Sequence, residues 1–350
     1  MLLAVLAIAG CSTKAVQTEP PQTLAPGTTV GVTHDTSDTD TGTTDTAEAK
    51  PEFTVIQADC TLQPDNALRA DCVVHLDIDG IPTIHVDGSD GSSRDFSAAT
   101  VGTEHSIGLW DMAEGHRYTW STGPIAGELI AGPLPFGLAG LAFDIDGSTD
   151  AVDTFLVSIG CDDHVYAFAT TPTGQIRWYQ EYPYGPYLHL NLLAGYHPSS
   201  EGGVVAHTND NIIYDHAFDG TVRRQFSQAD GDFERGVHHA IFERDGMIYT
   251  LNKEMLTHTD GDKYVLDGLY VFDESDVAAE WDLAEHTEIV SGQGTVTDWQ
   301  DPAWEGAHDY SHANSVYVDS EGDLLVSLRA LDTVLKLKGA HGLRPAAMGN

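Results

Sequence analysis

A unit of strand, turn, strand, turn and strand recurs along the second half of the chain and limits the fold more than any other feature. Each unit begins in a short apolar run, turns at Asp, Asn or Gly, and continues in a run rich in Val, Ile and Tyr. The reference positions Val157, Val205, Tyr249 and Val326 are 48, 44 and 77 residues apart. The first two spacings match a β-propeller blade of about 40–50 residues, and the third contains an insertion at 253–311.

This pattern predicts an all-β chain in which a small N-terminal β-sandwich, at 51–123, precedes a partial β-propeller at 127–350. In the first region, short alternating runs are separated by Asp, Gly, Ser and Pro turns every 8–12 residues or so, as in β-sandwiches. About four blades fit into the second region. Because an open propeller leaves sheet edges unpaired, we expect these blades to form part of a larger ring.

The N-terminus carries the pattern of a bacterial lipoprotein signal. Residues 1–9 are apolar and lead into Gly10-Cys11, and the run is too short to span a bilayer. We predict cleavage before Cys11 and lipid on its sulfur, so that the lipid alone holds an exported protein in the periplasm or at the cell surface. Residues 12–50 are rich in Thr and Asp, with almost no large apolar side chains, and predict a flexible linker.

Charge and cysteine content narrow the partners and the compartment. The 54 acidic and 16 basic residues give a formal net charge of −38. Such a chain repels phosphate backbones, so we expect no nucleic-acid partner. Cys60 and Cys72 lie in one small region of an exported protein, which predicts a disulfide between them, since such compartments are oxidising.

The stretch at 312–329 reads as a β-hairpin with polar groups gathered at one end. Alternation along a strand places His312 and Asn314 on the same face. A fold about residue 321 sets Ala313 roughly opposite Arg329. Two neutral hydrogen-bonding groups and a planar cationic fork form a set suited to binding an anion.

Related positions in neighbouring units carry further polar groups. His189, the pair His238-His239, and His312 precede the reference strands of three consecutive blades, and would converge on one mouth of a central channel. Asn252 and Arg329 each lie three residues past a reference position, and could line a neighbouring layer. Two histidines four apart, at 308 and 312, would suit zinc on a helix, but no third ligand stands at a diagnostic spacing. We predict no metal and no cofactor.

These motifs resemble the bacterial arylsulfate sulfotransferases. The resemblance rests on the histidine pair at 238–239, on Asp-Tyr-Ser-His-Ala-Asn-Ser-Val at 309–316 and on Ser-Leu-Arg-x-x-Asp-Thr-Val-x-Lys-Leu at 327–337. A strand such as Gly-Gln-Ile-Arg-Trp-Tyr at 174–179 is similar to the family's blades, and the likeness covers roughly 130–338. It implies a six-bladed propeller that moves a sulfuryl group from a phenolic sulfate ester to a phenol. The family needs no nucleotide donor and uses a transiently sulfated histidine.

The resemblance also implies roles for individual residues. One of His238 and His239, with His312, Asn314 and Arg329, would bind the sulfuryl oxygens and handle protons. In the family the nucleophilic histidine lies in a later blade than the His-x-Asn hairpin, and position 350 is reached before such a blade. The expectation is therefore that the nucleophile blade is missing from the chain as it stands, and that a chain extended to six blades carries out the transfer.

Two other functions stay open at this point. One is a non-catalytic propeller lipoprotein that binds a ligand or partner at the channel mouth. The other is a quinone-dependent propeller dehydrogenase, whose repeats also end in Gly-x-Val-x-Trp-like strands.

Overall fold

The computed structural model describes residues 52–143, 153–161, 164–183, 193, 195–286, 288–296 and 304–338, and the backbone of two short strands at 3–7 and 344–345. The regular structure of these ranges consists of strands β1 to β25 and short 3-10 turns. The all-β prediction is therefore confirmed. No helix in the same ranges is long and apolar enough to cross a membrane.

Two antiparallel sheets between residues 55 and 130 face each other as a sandwich. The first has the strand order β2-β3-β6 and the second the order β5-β4-β7-β8. Val74 and Ile107 of the first sheet and Ile84 and Trp120 of the second are buried in one shared core. The strands are β2 (Val55–Leu62), β3 (Ala70–Gly80), β4 (Thr83–Gly88), β5 (Ser93–Ser97), β6 (Gly102–Leu109), β7 (Arg117–Thr122) and β8 (Ile125–Ile130), so the last one lies beyond the expected limit at 123.

A disulfide joins Cys60 on β2 to Cys72 on β3. The two residues stand directly opposite each other in the antiparallel register, and both are buried in the sandwich core. The cross-link closes a loop with a sequence separation of 12 residues. A loop of this length raises the free energy of unfolding by roughly 2–3 kcal/mol in the chain-entropy account.

Four blade-like sheets follow from residue 154, and within each of them consecutive strands pair antiparallel. The sequence repeat therefore corresponds to propeller-like blades. Their strands are β9 (Thr154–Cys161), β10 (His164–Thr170) and β11 (Ile176–Tyr182) in the first; β12 (Gly195–Ser199), β13 (Gly203–His207), β14 (Ile212–Ala217) and β15 (Val222–Ser227) in the second; β16 (Val237–Arg244), β17 (Met247–Thr257), β18 (Lys263–Phe272) and β19 (Val277–Asp282) in the third; and β22 (Ala313–Val318), β23 (Leu324–Leu328) and β24 (Thr333–Leu337) in the fourth.

The insertion after Asn252 is built largely from blade strands. β17 continues to Thr257 and β18 begins at Lys263, so these two strands form one long hairpin. Three short strands add to the third sheet: β20 (Thr295–Val296), β21 (His308–Asp309) and β25 (Arg344–Pro345). β21 runs parallel to β18, and this pairing leads the chain from the third blade directly to the start of the fourth.

Local turn chemistry closes the hairpins. Asp245 and Gly246, the two residues between β16 and β17, have φ values of 53° and 79°. A two-residue turn with both φ values positive is the type I′ turn, whose twist matches that of the flanking strands, and Asp-Gly is among its preferred sequences.

A short strand at the very N-terminus, β1 (Leu3–Ala7), pairs parallel with β9. It takes the edge of the first blade sheet, the place that a blade's first strand occupies in the second and third blades. An extended apolar run can add to an open sheet edge through main-chain hydrogen bonds. Cleavage before Cys11 would remove this strand, so this pairing and a mature lipoprotein N-terminus exclude each other in one molecule.

The first strands of neighbouring blades lie side by side. β12 contacts β16, and β16 contacts β22. The sandwich packs on the first blade, whose Phe168 and Ile176 share its core, and Arg177 of β11 forms ion pairs with Asp90 and Asp111 of the sandwich. Because the three first strands are adjacent, residues at their N-terminal ends come together.

Candidate functional site

Two histidines from neighbouring blades meet where β16 and β22 begin. Nε2 of His239 lies 3.3 Å from Nε2 of His312, and the ring centroids are 5.2 Å apart. The expected convergence of these two positions at one end of the blades is therefore what the structure shows. His189, the third member of the predicted set, lies outside the described residues.

Both histidines sit in the left-handed region of backbone space, with φ values of 55° for His239 and 43° for His312. The pairing register shifts between His238 and Ile241 on β16, and again between Ala313 and Ser315 on β22. A left-handed non-glycine residue costs about 1–2 kcal/mol, and such residues concentrate at functional sites. The left-handed backbone at His239 and at His312 takes both imidazoles out of the regular strand alternation, and their rings face each other.

Arg329 completes the cluster. The backbone N–H of Arg329 donates to the carbonyl of His312 at 3.1 Å, and its guanidinium Nη1 lies 3.4 Å from Nε2 of His312. Arg329 follows β23 and opens a 3-10 turn that ends at Leu331. The side chain is exposed, so its remaining donors are accessible to an anion.

Asp309 sets the orientation of the His312 ring, because its Oδ2 bonds to Nδ1 of His312. A carboxylate only accepts, so the Nδ1 of His312 carries the hydrogen. In the neutral ring, Nε2 of His312 is then an acceptor, and Nε2–H of His239 and the guanidinium of Arg329 are the donors that face it. Asp309, His312 and His239 thus form one hydrogen-bonded line with a defined polarity.

The surroundings of His239 disfavour its charged form, although part of the residue is exposed. Burial, followed by the neighbouring His238 and His312, lowers the pKa of His239 to about 4. Lys253 acts in the same direction on this pKa, which places its ammonium close to the site. The ammonium of Lys253 also lies 4.6 Å from the ring centre of Trp304, in the segment that precedes β21.

A buried layer supports the backbone of His239. Nε2 of His207, on β13, lies 3.2 Å from the carbonyl oxygen of His239 and donates to it. His207 is fully buried, and burial, followed by the charges of neighbouring histidines, lowers its pKa to about 3. Gly195, at the start of β12, lies against the same carbonyl. A Cβ there would overlap the carbonyl oxygen of His239 and lie 2.8 Å from Nε2 of His207.

We therefore expect Gly195→Ala to displace His239. Because the atoms that the new methyl group meets are mainly backbone, the substitution should cost about 1–3 kcal/mol of unfolding free energy, as overpacking does. Denaturant unfolding measures this loss. The matched control is Gly102→Ala on β6, where a Cβ meets nothing closer than 3.6 Å. Equal stabilities of the two variants would contradict the close approach at Gly195.

His238 faces away from the cluster. Its Nε2 lies 2.8 Å from Oδ1 of Asp267, on β18, and 3.3 Å from the carbonyl oxygen of Asn252. Of the adjacent pair, His239 is consequently the residue that reaches His312. The sequence left this choice open.

The two predicted asparagines have different surroundings. Asn252 is completely buried, and its Oδ1 lies 2.5 Å from where a Cβ would stand at position 268, which explains the glycine there. The amide of Asn314 is exposed, and its Oδ1 accepts from Ser327 Oγ at 3.2 Å. Their substrate-binding roles stay predictions, as does the lipidation of Cys11, which lies outside the described residues.

Asp319, Glu321 and Asp323, in the turn after β22, are close enough together to hold a metal ion. Lys336 Nζ already lies within 2.9–3.1 Å of all three carboxylates. The ammonium of Lys336, on β24, therefore neutralises part of the negative charge of this cluster. These ion pairs also attach the turn to β24.

Four residues of the site region were missed by sequence reasoning: Asp267, Asp309, Lys253 and Trp304. Asp309 carried a usable signal, because it stands three residues before His312 in the same motif. Asp267 carried none, since only the pairing of β18 with β21 brings it to residues 311–313.

The fold and this cluster define a class of protein: an all-β, propeller-like protein with two histidines and an arginine gathered at the ends of adjacent blades. Residues 148–343 match the family model described as arylsulfotransferase (ASST). The match spans more than half of the chain, and the chain belongs to the arylsulfotransferase family.

Two further comparisons add little. No curated protein matches the sequence. A solved structure of a protein of unknown function from Bacteroides caccae is similar over 71% of this chain and 82% of its own, with 8% sequence identity and a TM-score of 0.29.

Proposed function

We propose that this protein transfers a sulfuryl group from a phenolic sulfate ester to a phenol, without a nucleotide donor and by way of a sulfated histidine. Membership in the arylsulfotransferase family supports the general activity. The observation that carries the finer proposal is the convergence of His239, His312 and Arg329 on one point. Aryl sulfates and phenols are the proposed small-molecule partners.

The proposed roles follow from donors and acceptors. When substrate binds, the guanidinium of Arg329 and Nε2–H of His239 turn from Nε2 of His312 to the sulfuryl oxygens, where negative charge is held during transfer. Nε2 of His312, the acceptor of the line that begins at Asp309, exchanges a proton with the phenol oxygen. A neutral His239 suits this arrangement, because it donates without placing a second fixed charge beside Arg329.

The covalent step has two halves. In the first, a histidine nitrogen attacks sulfur, an S–N bond forms, and the S–O bond to the donor breaks. The sulfated imidazole sheds its N–H proton, and the departing phenolate takes up a proton and leaves as a phenol. In the second, the acceptor phenol gives its proton to Nε2 of His312 and its oxygen attacks sulfur. An S–O bond forms, the S–N bond breaks, and the released histidine regains a proton. The attacking histidine is a further one, because we assign His239 to binding of the sulfuryl oxygens and His312 to proton transfer.

We further propose that the protein is exported and anchored through lipid on Cys11. The sequence Ile-Ala-Gly-Cys at 8–11 and the Thr/Asp-rich stretch behind it support this proposal. Export also fits the Cys60–Cys72 disulfide, since disulfides persist in oxidising compartments. The mass of the mature N-terminal peptide, isolated from membranes, tests the proposal: a diacylated Cys11 supports it, and an intact Met1 contradicts it.

A mass-spectrometric trap tests the proposed chemistry. A chain that carries six blades, the wild type of the tests below, is mixed with 4-nitrophenyl sulfate without nucleotide or acceptor, quenched in alkali and digested. Its peptides are searched for one added SO3 group on a histidine. We expect one modified histidine and a stoichiometric burst of 4-nitrophenol. Addition of phenol should then remove the SO3 and yield phenyl sulfate. Phenyl sulfate formed with no modified histidine in the pre-steady state would contradict the covalent route.

A further inference from the structure

Asp267 is a buried carboxylate between the two segments that carry the site histidines. It lies on β18, and 3% of its surface is exposed. A buried carboxylate is costly unless hydrogen bonds compensate it. Asp267 makes three such bonds, and they go to two different parts of the site.

The first oxygen, Oδ1, holds the segment at the start of β16. It lies 2.8 Å from Nε2 of His238, the residue immediately before His239. The carbonyl of Asn252 is a second acceptor near the same nitrogen, at 3.3 Å. With two acceptors in front of it, Nε2 of His238 carries the hydrogen, and the ring is fixed on the side away from His312.

The second oxygen, Oδ2, holds the segment that enters β22. It accepts a hydrogen bond from Ser311 Oγ and another from the backbone N–H of Ala313 at 2.8 Å. The backbone N–H of Asp267 in turn donates to Ser311 Oγ at 2.9 Å. The residues on both sides of His312 are thereby attached to β18, while His312 itself extends toward His239.

The charge state agrees with this geometry. Burial opposes ionisation of Asp267, but the hydrogen bonds from His238, Ser311 and Ala313 outweigh it, and the pKa of Asp267 lies below its usual value. Asp267 is therefore a carboxylate at neutral pH and can accept all three bonds.

We propose that Asp267 is a positioning residue that joins the His238-His239 segment to the His312 segment and sets the distance between the two site imidazoles. It does not contact the reacting groups. It acts through His238 on one side and through Ser311 and Ala313 on the other. Its effect on turnover rests on the sulfuryl-transfer function proposed above, whereas its effect on the histidines does not.

Asp267→Asn tests this role, because asparagine keeps the shape and removes the charge. Because the backbone N–H of Ala313 can only donate, the amide oxygen faces Ala313 and the amide NH2 faces His238. We expect the side-chain ¹⁵N spectrum to show His238 switching its hydrogen from Nε2 to Nδ1 and the His312 signals shifting. We also expect kcat to fall roughly 10- to 100-fold, the usual cost of losing a residue that orients a site ligand, with a smaller change in KM.

Ser311→Ala separates the contacts of Oδ2 from the contact of Oδ1 with His238. It also tests the proposal if Asp267→Asn does not fold. It removes the hydroxyl that Oδ2 holds but leaves the bond between Asp267 and His238. The expected result is an unchanged His238 tautomer with shifted His312 signals and a lower kcat. The matched control is Asp245→Asn, an exposed turn residue whose φ of 53° suits asparagine.

The outcomes are separable. Unchanged His312 signals in the folded variants would overturn the role of Asp267, whatever the turnover. A wild-type protein that transfers no sulfuryl group would contradict the proposed function, and the ¹⁵N spectra would still decide the role of Asp267.

Discussion

Arg329→Lys should lower sulfuryl transfer by about 10²–10³-fold, the cost of removing one donor that stabilises charge in a transition state. The guanidinium presents a planar fork that can bond two sulfuryl oxygens at once, whereas an ammonium acts as a point charge. The side chain is exposed and its guanidinium contacts His312, so folding should be little affected. Release of 4-nitrophenol from 4-nitrophenyl sulfate, with phenol as acceptor, measures the rate.

The control for Arg329→Lys is Arg117→Lys. Arg117 is an exposed arginine of the sandwich, and its guanidinium pairs with Glu128 at 2.8 Å. Arg117→Lys makes the same chemical change in the sandwich, and we expect this variant to transfer at the wild-type rate. Arg329→Gln should be slower than Arg329→Lys, because it also removes the charge. A rate within twofold of wild type for Arg329→Lys would exclude a fork at the sulfuryl oxygens.

The second large effect is on stability in acid, and it comes from His207. In the folded protein the pKa of His207 is about 3, whereas its usual value is 6.5. Between these two pH values the unfolded chain binds a proton at this residue and the folded chain does not. The free energy of unfolding therefore rises with pH across this window, by about 1.4 kcal/mol per pH unit from this one group. Acidification from pH 6.5 toward 3 lowers the free energy of unfolding by the same amount per pH unit.

His207→Gln isolates this contribution. Glutamine can still donate to the carbonyl of His239 but does not titrate, so its unfolding free energy should fall less steeply in acid than that of wild type. His164→Gln is the control, because His164 lies on β10 with 41% of its side chain exposed. Denaturant titrations at several pH values between 3.5 and 7 give the slopes. Parallel slopes for wild type and His207→Gln would show that His207 does not stay neutral in the fold.

The sequence was sufficient to predict the strands and their grouping, because the cause of both is local. Alternating Val, Ile and Tyr predict strands, and turns such as Asp245-Gly246 predict where they reverse. The sequence also predicted that His239 and His312 lie close together, since equivalent positions in a repeat occupy equivalent places in the fold. These inferences needed the period of the repeat and no tertiary contact.

The detail of the site could not be predicted, because tertiary contacts override strand alternation there. The hairpin was expected to place Ala313 opposite Arg329, but a bulge after Ala313 sets Ala313 opposite Leu328. Arg329 reaches His312 from a 3-10 turn and not from the strand.

The roles of the two aspartates show the same limit. Asp309 is near His312 in sequence, but only the structure shows that its carboxylate bonds to Nδ1 of His312, which leaves Nε2 of the neutral ring as an acceptor. Asp267 is 45 residues away from His312 along the chain, and its contacts at 311 and 313 depend on β21 lying along β18. Spacing rules for motifs do not reach such contacts.

The most direct test of the account is the formation of phenyl sulfate from 4-nitrophenyl sulfate and phenol in the absence of nucleotide, compared between wild type, Arg329→Lys and His312→Gln. We predict one phenyl sulfate for each 4-nitrophenol released by wild type, and at least a hundredfold less from each variant, as the loss of one stabilising donor or of a proton-transfer group implies. Equal formation of phenyl sulfate by all three proteins would contradict the assignment of the sulfuryl site to this cluster.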